Sequence, residues 1–160
     1  MKHNEFWNEL AEKSAARKGL RGRLKEICDN ILADLTPHQR NFVTDPARRK
    51  SLLCPRRAGK THCVIAYALW NGLKYPHSKI PIITITLKNA KNLYWKPLRE
   101  FAEKYGIDIE FRVGEQKAIL PNGTELILGG ASSLSDIEKY RGGAYKLALI
   151  DECKSITEGV

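Results

Sequence analysis

Apolar residues recur at helical spacing between residues 24 and 35, as Leu24, Ile27, Cys28, Ile31, Leu32 and Leu35. That spacing predicts a helix over 20–34 with one packing face. A second helix over 4–17 precedes it, with a break expected at Gly19. Thr36-Pro37 reads as an N-cap followed by proline at the first helical position, so a short helix should run to about Val43. Ser51-Leu52-Leu53 is a candidate strand, followed by a helix from about Lys60 to Leu73. The run Ile80 to Leu87 is β-branched and apolar, as expected of a strand buried on both faces of a parallel sheet. A helix over 89–105 follows, with Tyr94, Leu98, Phe101 and Tyr105 on one stripe. Ile107 to Val113 reads as a strand, and 117–120 and 124–128 flank Asn122-Gly123, a hairpin signal. The last strand is expected from Tyr145 to Ile150. Strands alternating with helices imply an α/β fold with a mainly parallel sheet.

Composition narrows the class. The 160 residues suit one domain with a real core, 42% of them hydrophobic and 28% charged. A net charge of +9, concentrated in residues 1–110, favours a polyanionic partner. The four cysteines, at positions 28, 54, 63 and 153, include no C-x-x-C pair. They argue against zinc and against a secreted disulfide framework, and fit a reducing cytosol. The N-terminus lacks the apolar core of a signal peptide, and no stretch reaches membrane-helix length.

The chemistry concentrates at two places. Residues 54–61 match the phosphate-binding loop pattern of a glycine, four free positions and Gly-Lys-Thr, except that Cys54 stands at the first glycine position. Such a loop ends a strand, curls its N–H groups toward phosphates and opens a helix whose positive end faces them. Gly59 allows close approach, Lys60 reaches the β- and γ-phosphates, and the Thr61 hydroxyl ligates magnesium. Arg56 and Arg57 each have two readings, a γ-phosphate contact or a cation that faces solvent or pairs with a carboxylate; the first is favoured for Arg56, and both stand open for Arg57.

Leu147-Ala148-Leu149-Ile150 leads into Asp151-Glu152, 91 residues after Lys60. An aspartate at the tip of such a strand suits the magnesium shell, and the following glutamate suits a general base acting on water. Gln39 lies 21 residues before Lys60, and its amide can both donate to and accept from an adenine edge. Arg141 is either an arginine finger or an ordinary turn residue. Lys91, Trp95, Lys96 and Arg99 leave two readings open, a nucleic-acid contact or a solvated helix face, whereas Tyr94 fits the core.

Thr36-Pro37-His38-Gln39, then Pro55-Arg56-Arg57-Ala58-Gly59-Lys60-Thr61, the hairpin Leu120-Pro121-Asn122-Gly123-Thr124-Glu125, Arg141-Gly142 and Leu149-Ile150-Asp151-Glu152 occur in one order. This order resembles the large terminase subunit of tailed bacteriophages, over roughly residues 36–153. The resemblance implies a P-loop NTPase of the ASCE type, using ATP and Mg2+ to drive double-stranded DNA into a procapsid. It further implies a homo-oligomeric ring in the host cytoplasm, working with a portal protein and a small terminase subunit, and no membrane. Carried across, Gln39 meets adenine, and Pro55, Arg56, Arg57, Ala58, Gly59, Lys60 and Thr61 cradle the nucleotide. Arg56 meets the γ-phosphate, Thr61 and Asp151 hold the metal, Glu152 is the base, and Arg141 matches a finger position.

On this basis residues 1–35 form a helical segment and 36–160 a partial ATPase domain, incomplete at its C-terminus. The family continues past Asp-Glu with a coupling motif, more strands and an RNase-H-like nuclease, so no nuclease is assigned here. A helicase-like DNA-dependent ATPase and a non-catalytic DNA-binding fragment are the alternatives.

Overall fold

The computed structural model describes residues 2–55 and 57–152, with side chains from residue 13 onward. Helix α1 runs without interruption from Lys2 to Ala33. The expected break at Gly19 is absent. A glycine inside a helix costs only about 1 kcal/mol relative to alanine, and the packing of the C-terminal half outweighs it. Leu24, Ile27, Cys28, Ile31 and Leu35 are all buried in the common core.

Helix α2 (Pro37–Thr44) starts as the sequence predicts, and its first turn closes a capping box. The Gln39 N–H donates to Thr36 Oγ1 at 3.4 Å, and the Thr36 N–H donates to Gln39 Oε1 at 3.1 Å. Helix α3 (Lys60–Lys74) carries the buried face Cys63, Ile65, Ala66, Ala68, Leu69 and Leu73. It leads to β1 (Lys79–Thr84) and α4 (Leu87–Tyr105). Strand β1 stops three residues short of the expected Leu87 because Thr86 caps α4, accepting from the Asn89 N–H at 3.1 Å. On α4 the predicted stripe holds: Tyr94, Leu98 and Phe101 are buried.

The rest of the chain contributes β2 (Glu110–Arg112), a short 3-10 turn, β3 (Lys117–Ile119), β4 (Glu125–Gly130), the short helix α5 (Leu134–Glu138) and β5 (Leu149–Ile150). The sheet has five strands in the order β2-β3-β4-β1-β5. Strands β4, β1 and β5 run parallel, with Ile82 opposite Leu149 and Ile83 opposite Ile150. The hairpin strands are antiparallel, as Asn122-Gly123 predicts.

Two further expected strands contract and one is missing. The segment after α4 forms only three ladder residues before its turn, and the last strand only two. Ser51-Leu52-Leu53 is not in the sheet, and Leu53 is fully exposed. A strand exists only through a neighbour that takes its backbone N–H and C=O groups. Among the described residues no strand pairs with 51–53.

The hairpin turn also locks α3 in place. The Asn122 side-chain amide donates to the Gly72 and Leu73 carbonyls at 2.8 and 3.0 Å, and Thr124 Oγ1 donates to the Tyr75 carbonyl at 2.8 Å. These bonds satisfy carbonyls that the end of a helix leaves open. Gly72 lets the two elements touch: a Cβ there would come 2.6 Å from Leu120 Cδ1. The far end of α3 is thus anchored, and its N-terminus sits at the parallel edge of the sheet where β1 and β5 end.

Candidate nucleotide site

The loop before α3 turns tightly, although no strand forms at 51–53 ahead of it. Arg57 and Gly59 both adopt left-handed backbone, at φ 64° and 77°. The Ala58 N–H donates to the Pro55 carbonyl at 3.3 Å, and α3 begins when the Cys63 N–H donates to the Gly59 carbonyl at 3.0 Å. Glycine is favoured at position 59 on two counts. A side chain would be strained at that φ, and its Cβ would lie 2.8 Å from Gln39 Nε2. Arg56 lies outside the described residues.

Gln39 is brought to the loop, as its offset from Lys60 suggests. Its Nε2 donates to the Gly59 carbonyl at 3.4 Å, while its Oε1 belongs to the α2 cap. Both ends of the amide are therefore engaged, and a nucleobase contact would have to exchange at least one of these bonds.

The decisive contact joins the loop to the end of the sheet. Asp151 sits just past β5, tied to β1 by its N–H donating to the Ile83 carbonyl at 2.8 Å. Lys60 Nζ lies 2.6 Å from Asp151 Oδ1. The same oxygen accepts from the Glu152 N–H at 2.8 Å, and Oδ2 accepts from the Tyr94 hydroxyl at 2.7 Å. Burial pushes the Asp151 carboxyl up, but hydrogen bonds from Lys60 and Tyr94 and the Lys60 charge outweigh it and hold the group below the usual carboxylate range. The reciprocal hydrogen bond to Asp151 raises the Lys60 ammonium. Burial, and then the hydrogen bond to Asp151, pushes the Tyr94 phenol far above its ordinary value.

Glu152 follows in left-handed backbone at φ 58° and is exposed. Arg141 is not brought to the loop: it is exposed on the turn after α5 and ion-paired with Glu138 at 2.8 Å. Trp95 and Arg99 pack on Phe111 of β2, with ring centroids 5.8 Å apart and the guanidinium 4.4 Å from the Phe111 centroid. Tyr94 is the residue whose part in the site the sequence leaves hidden. Its place on the apolar stripe predicts core, and it is indeed fully buried. The available signal is that tyrosine rather than phenylalanine stands there, since a buried hydroxyl needs a partner.

Among the described residues no group of three or more His, Cys, Asp or Glu is placed to hold a metal ion. The oxygen donors at hand, the Asp151 carboxylate that meets Lys60 and the hydroxyl of Thr61 next to it in sequence, are of the kind a hard cation such as magnesium takes, with phosphate oxygens and water for the rest. They do not fit zinc. Among the described residues no helix is long and apolar enough to cross a membrane.

A tight turn opening a helix, with an aspartate just past a parallel strand against the first lysine of that helix, fits a P-loop NTPase fold. The family described as terminase large subunit, T4likevirus-type, N-terminal, matches residues 51–159, and the chain belongs to that family. No curated protein matches it in sequence. Similar solved structures include the large terminase ATPase domain of Thermus phage P74-26, with a TM-score of 0.64 at 17% identity, covering 80% of this chain and 57% of that one. The large terminase of a thermophilic bacteriophage gives a TM-score of 0.60 at 16% identity, covering 73% of this chain and 32% of that one. The same bacteriophage protein in complex with ATP-gamma-S gives 0.53 at 13% identity, covering 72% and 37%. The chain thus spans between about a third and somewhat over half of these proteins.

Proposed function

We propose that this chain is the nucleotide-binding front of an ATP-driven motor that moves double-stranded DNA into a viral procapsid. The observation that carries the proposal is the 2.6 Å ion pair between Lys60 and Asp151, which joins the phosphate-type loop to the acidic strand end across 91 residues. Family membership and the ATP-gamma-S named with one similar structure support the choice of ligand.

In this mechanism the N–H groups of the loop and the start of α3 bind phosphate oxygens. Lys60 turns from Asp151 to the β- and γ-phosphates, and the Asp151 oxygen it releases, with the Thr61 hydroxyl, would hold magnesium. Magnesium, when bound, neutralises charge on the phosphate oxygens. Glu152, exposed at the strand tip, takes a proton from the attacking water as general base. Gln39 selects adenine from beside the loop, and Arg56 stabilises charge on the γ-phosphate. Arg141, away from the loop in its own chain, acts as a finger toward a neighbouring subunit of a homo-oligomeric ring. The ATPase unit spans 36–160 and is preceded by a helical segment, 1–35, whose Leu24, Ile27, Cys28, Ile31 and Leu35 share its core. The partners are double-stranded DNA, a portal protein and a small terminase subunit, and the place of action is the host cytoplasm at the portal.

The test is equilibrium binding of a fluorescent ATP analogue with and without magnesium. Binding should be magnesium-dependent and lost in Lys60→Ala. Unchanged affinity in that variant refutes the nucleotide site.

A further inference from the structure

We infer that Tyr94 is a positioning residue for the carboxylate of Asp151, presenting a single oxygen to the phosphate loop and its cation. This rests on the nucleotide-site assignment above and adds to it a residue that its loop and strand motifs do not contain.

Asp151 is poorly held by its own backbone. It follows a strand of only two residues, on the sheet edge, and precedes a residue in left-handed conformation. Among the described residues, its backbone N–H donates to the Ile83 carbonyl, which fixes where its main chain lies. Nothing in that bond decides how the carboxylate turns about its side-chain torsions.

Tyr94 supplies what the strand lacks. It sits in the middle of the 19-residue α4, fully buried, with Leu98 and Phe101 on the same buried stripe. A phenol held this way has no freedom to follow its acceptor, so the acceptor must come to it. Its hydroxyl meets Asp151 Oδ2 at 2.7 Å. With that oxygen occupied, Oδ1, which also accepts from the Glu152 N–H at 2.8 Å, is directed at Lys60. The carboxylate is then set to exchange Lys60 for a cation through one oxygen, without first rotating. Partners of this kind, one step removed from the metal, typically change metal affinity about 10–100-fold when removed.

The competing explanation is that Tyr94 is only a core ring whose hydroxyl found an acceptor. Tyr94→Phe keeps the ring and removes the hydroxyl. Tyr105→Phe is the matched control, because its hydroxyl also donates to an aspartate, Asp34 at 2.9 Å, away from the loop. The measurement is the magnesium concentration for half-maximal enhancement of fluorescent ATP-analogue binding by the full chain, alongside binding in EDTA. Tyr94→Phe should raise the magnesium midpoint about tenfold while metal-free affinity stays within about twofold, and Tyr105→Phe should change neither. A Tyr94→Phe midpoint within about twofold of the unsubstituted chain overturns the inference and leaves the nucleotide site standing. An equal loss of metal-free and metal-dependent binding assigns Tyr94 a purely structural part and also overturns it. If the unsubstituted chain shows no magnesium-dependent binding, the nucleotide-site assignment itself falls, and the inference with it.

Discussion

Lys60→Met removes the ammonium facing Asp151 and keeps most of the aliphatic stem. The Asp151 side chain is 5% exposed and that of Lys60 is 36% exposed, so the pair lies between the interior and the surface. Orphaning one member of a fully buried pair costs about 3–5 kcal/mol, whereas an exposed pair contributes about 0–1 kcal/mol. Water reaches Lys60, and the Tyr94 hydroxyl and Glu152 N–H remain on the carboxylate, so the expected loss is about 1–3 kcal/mol. For a chain of this size that is a fall in Tm of roughly 3–10 °C. Urea denaturation followed by circular dichroism measures it, and a double-mutant cycle with Asp151→Asn isolates the coupling.

The pH dependence has a definite sign. The Asp151 carboxyl is held below its ordinary value, so its contribution is present above about pH 4 and lost as pH falls through the folded value. The Lys60 ammonium is held above its ordinary value, so its contribution is present below about pH 10 and lost as pH rises through the folded value. Coupling should therefore be flat between about pH 5 and pH 9. A loss below about 0.5 kcal/mol for Lys60→Met at pH 7, or a coupling that varies across that window, would refute this account of the pair.

Gly59→Ala should destabilise the chain by about 1–2 kcal/mol, through left-handed strain and the displaced Gln39 amide; equal stability in thermal melts would contradict it. Asp34 is held low by hydrogen bonds from Lys104 and Tyr105, so its contribution is present above about pH 4 and lost as pH falls through the folded value. Asp34→Asn should accordingly flatten the acid limb of a stability-versus-pH profile, and an unchanged limb would count against that link between α1 and α4. Burial pushes the Cys28 and Cys63 thiols up to about 11, whereas Cys54 at the loop is half-buried. Iodoacetamide at pH 8 should modify Cys54 well before Cys28 and Cys63, and mass spectrometry of the peptides reads the order.

Signals that act over a turn or less were legible in the chain. Thr36-Pro37 with Gln39 three residues past the cap, the Gly59-Lys60-Thr61 helix start and the Asn122-Gly123 hairpin all lie where their spacing predicts. So does the apolar stripe of α4. The misjudged elements depended on partners elsewhere. Gly19 predicts a break, but the burial of Leu24 to Leu35 carries the helix through it. Leu52-Leu53 has strand composition and no neighbour among the described residues to complete a ladder.

The sequence by itself determined which residues carry charge and polarity, where helices start, and that a phosphate-type loop and an acidic strand end exist. Each depends on side chains or backbone groups within about four positions of one another. Only the tertiary structure decided that Asp151 meets Lys60, that Gln39 rests on the Gly59 carbonyl, and that the Tyr94 hydroxyl holds the second carboxylate oxygen. Those contacts span 91, 20 and 57 residues of chain, and they exist because the shared core of α3, α4 and the sheet brings the chain ends of separate elements to one edge. A hydroxyl or an ammonium carries no mark of its distant partner; packing selects it.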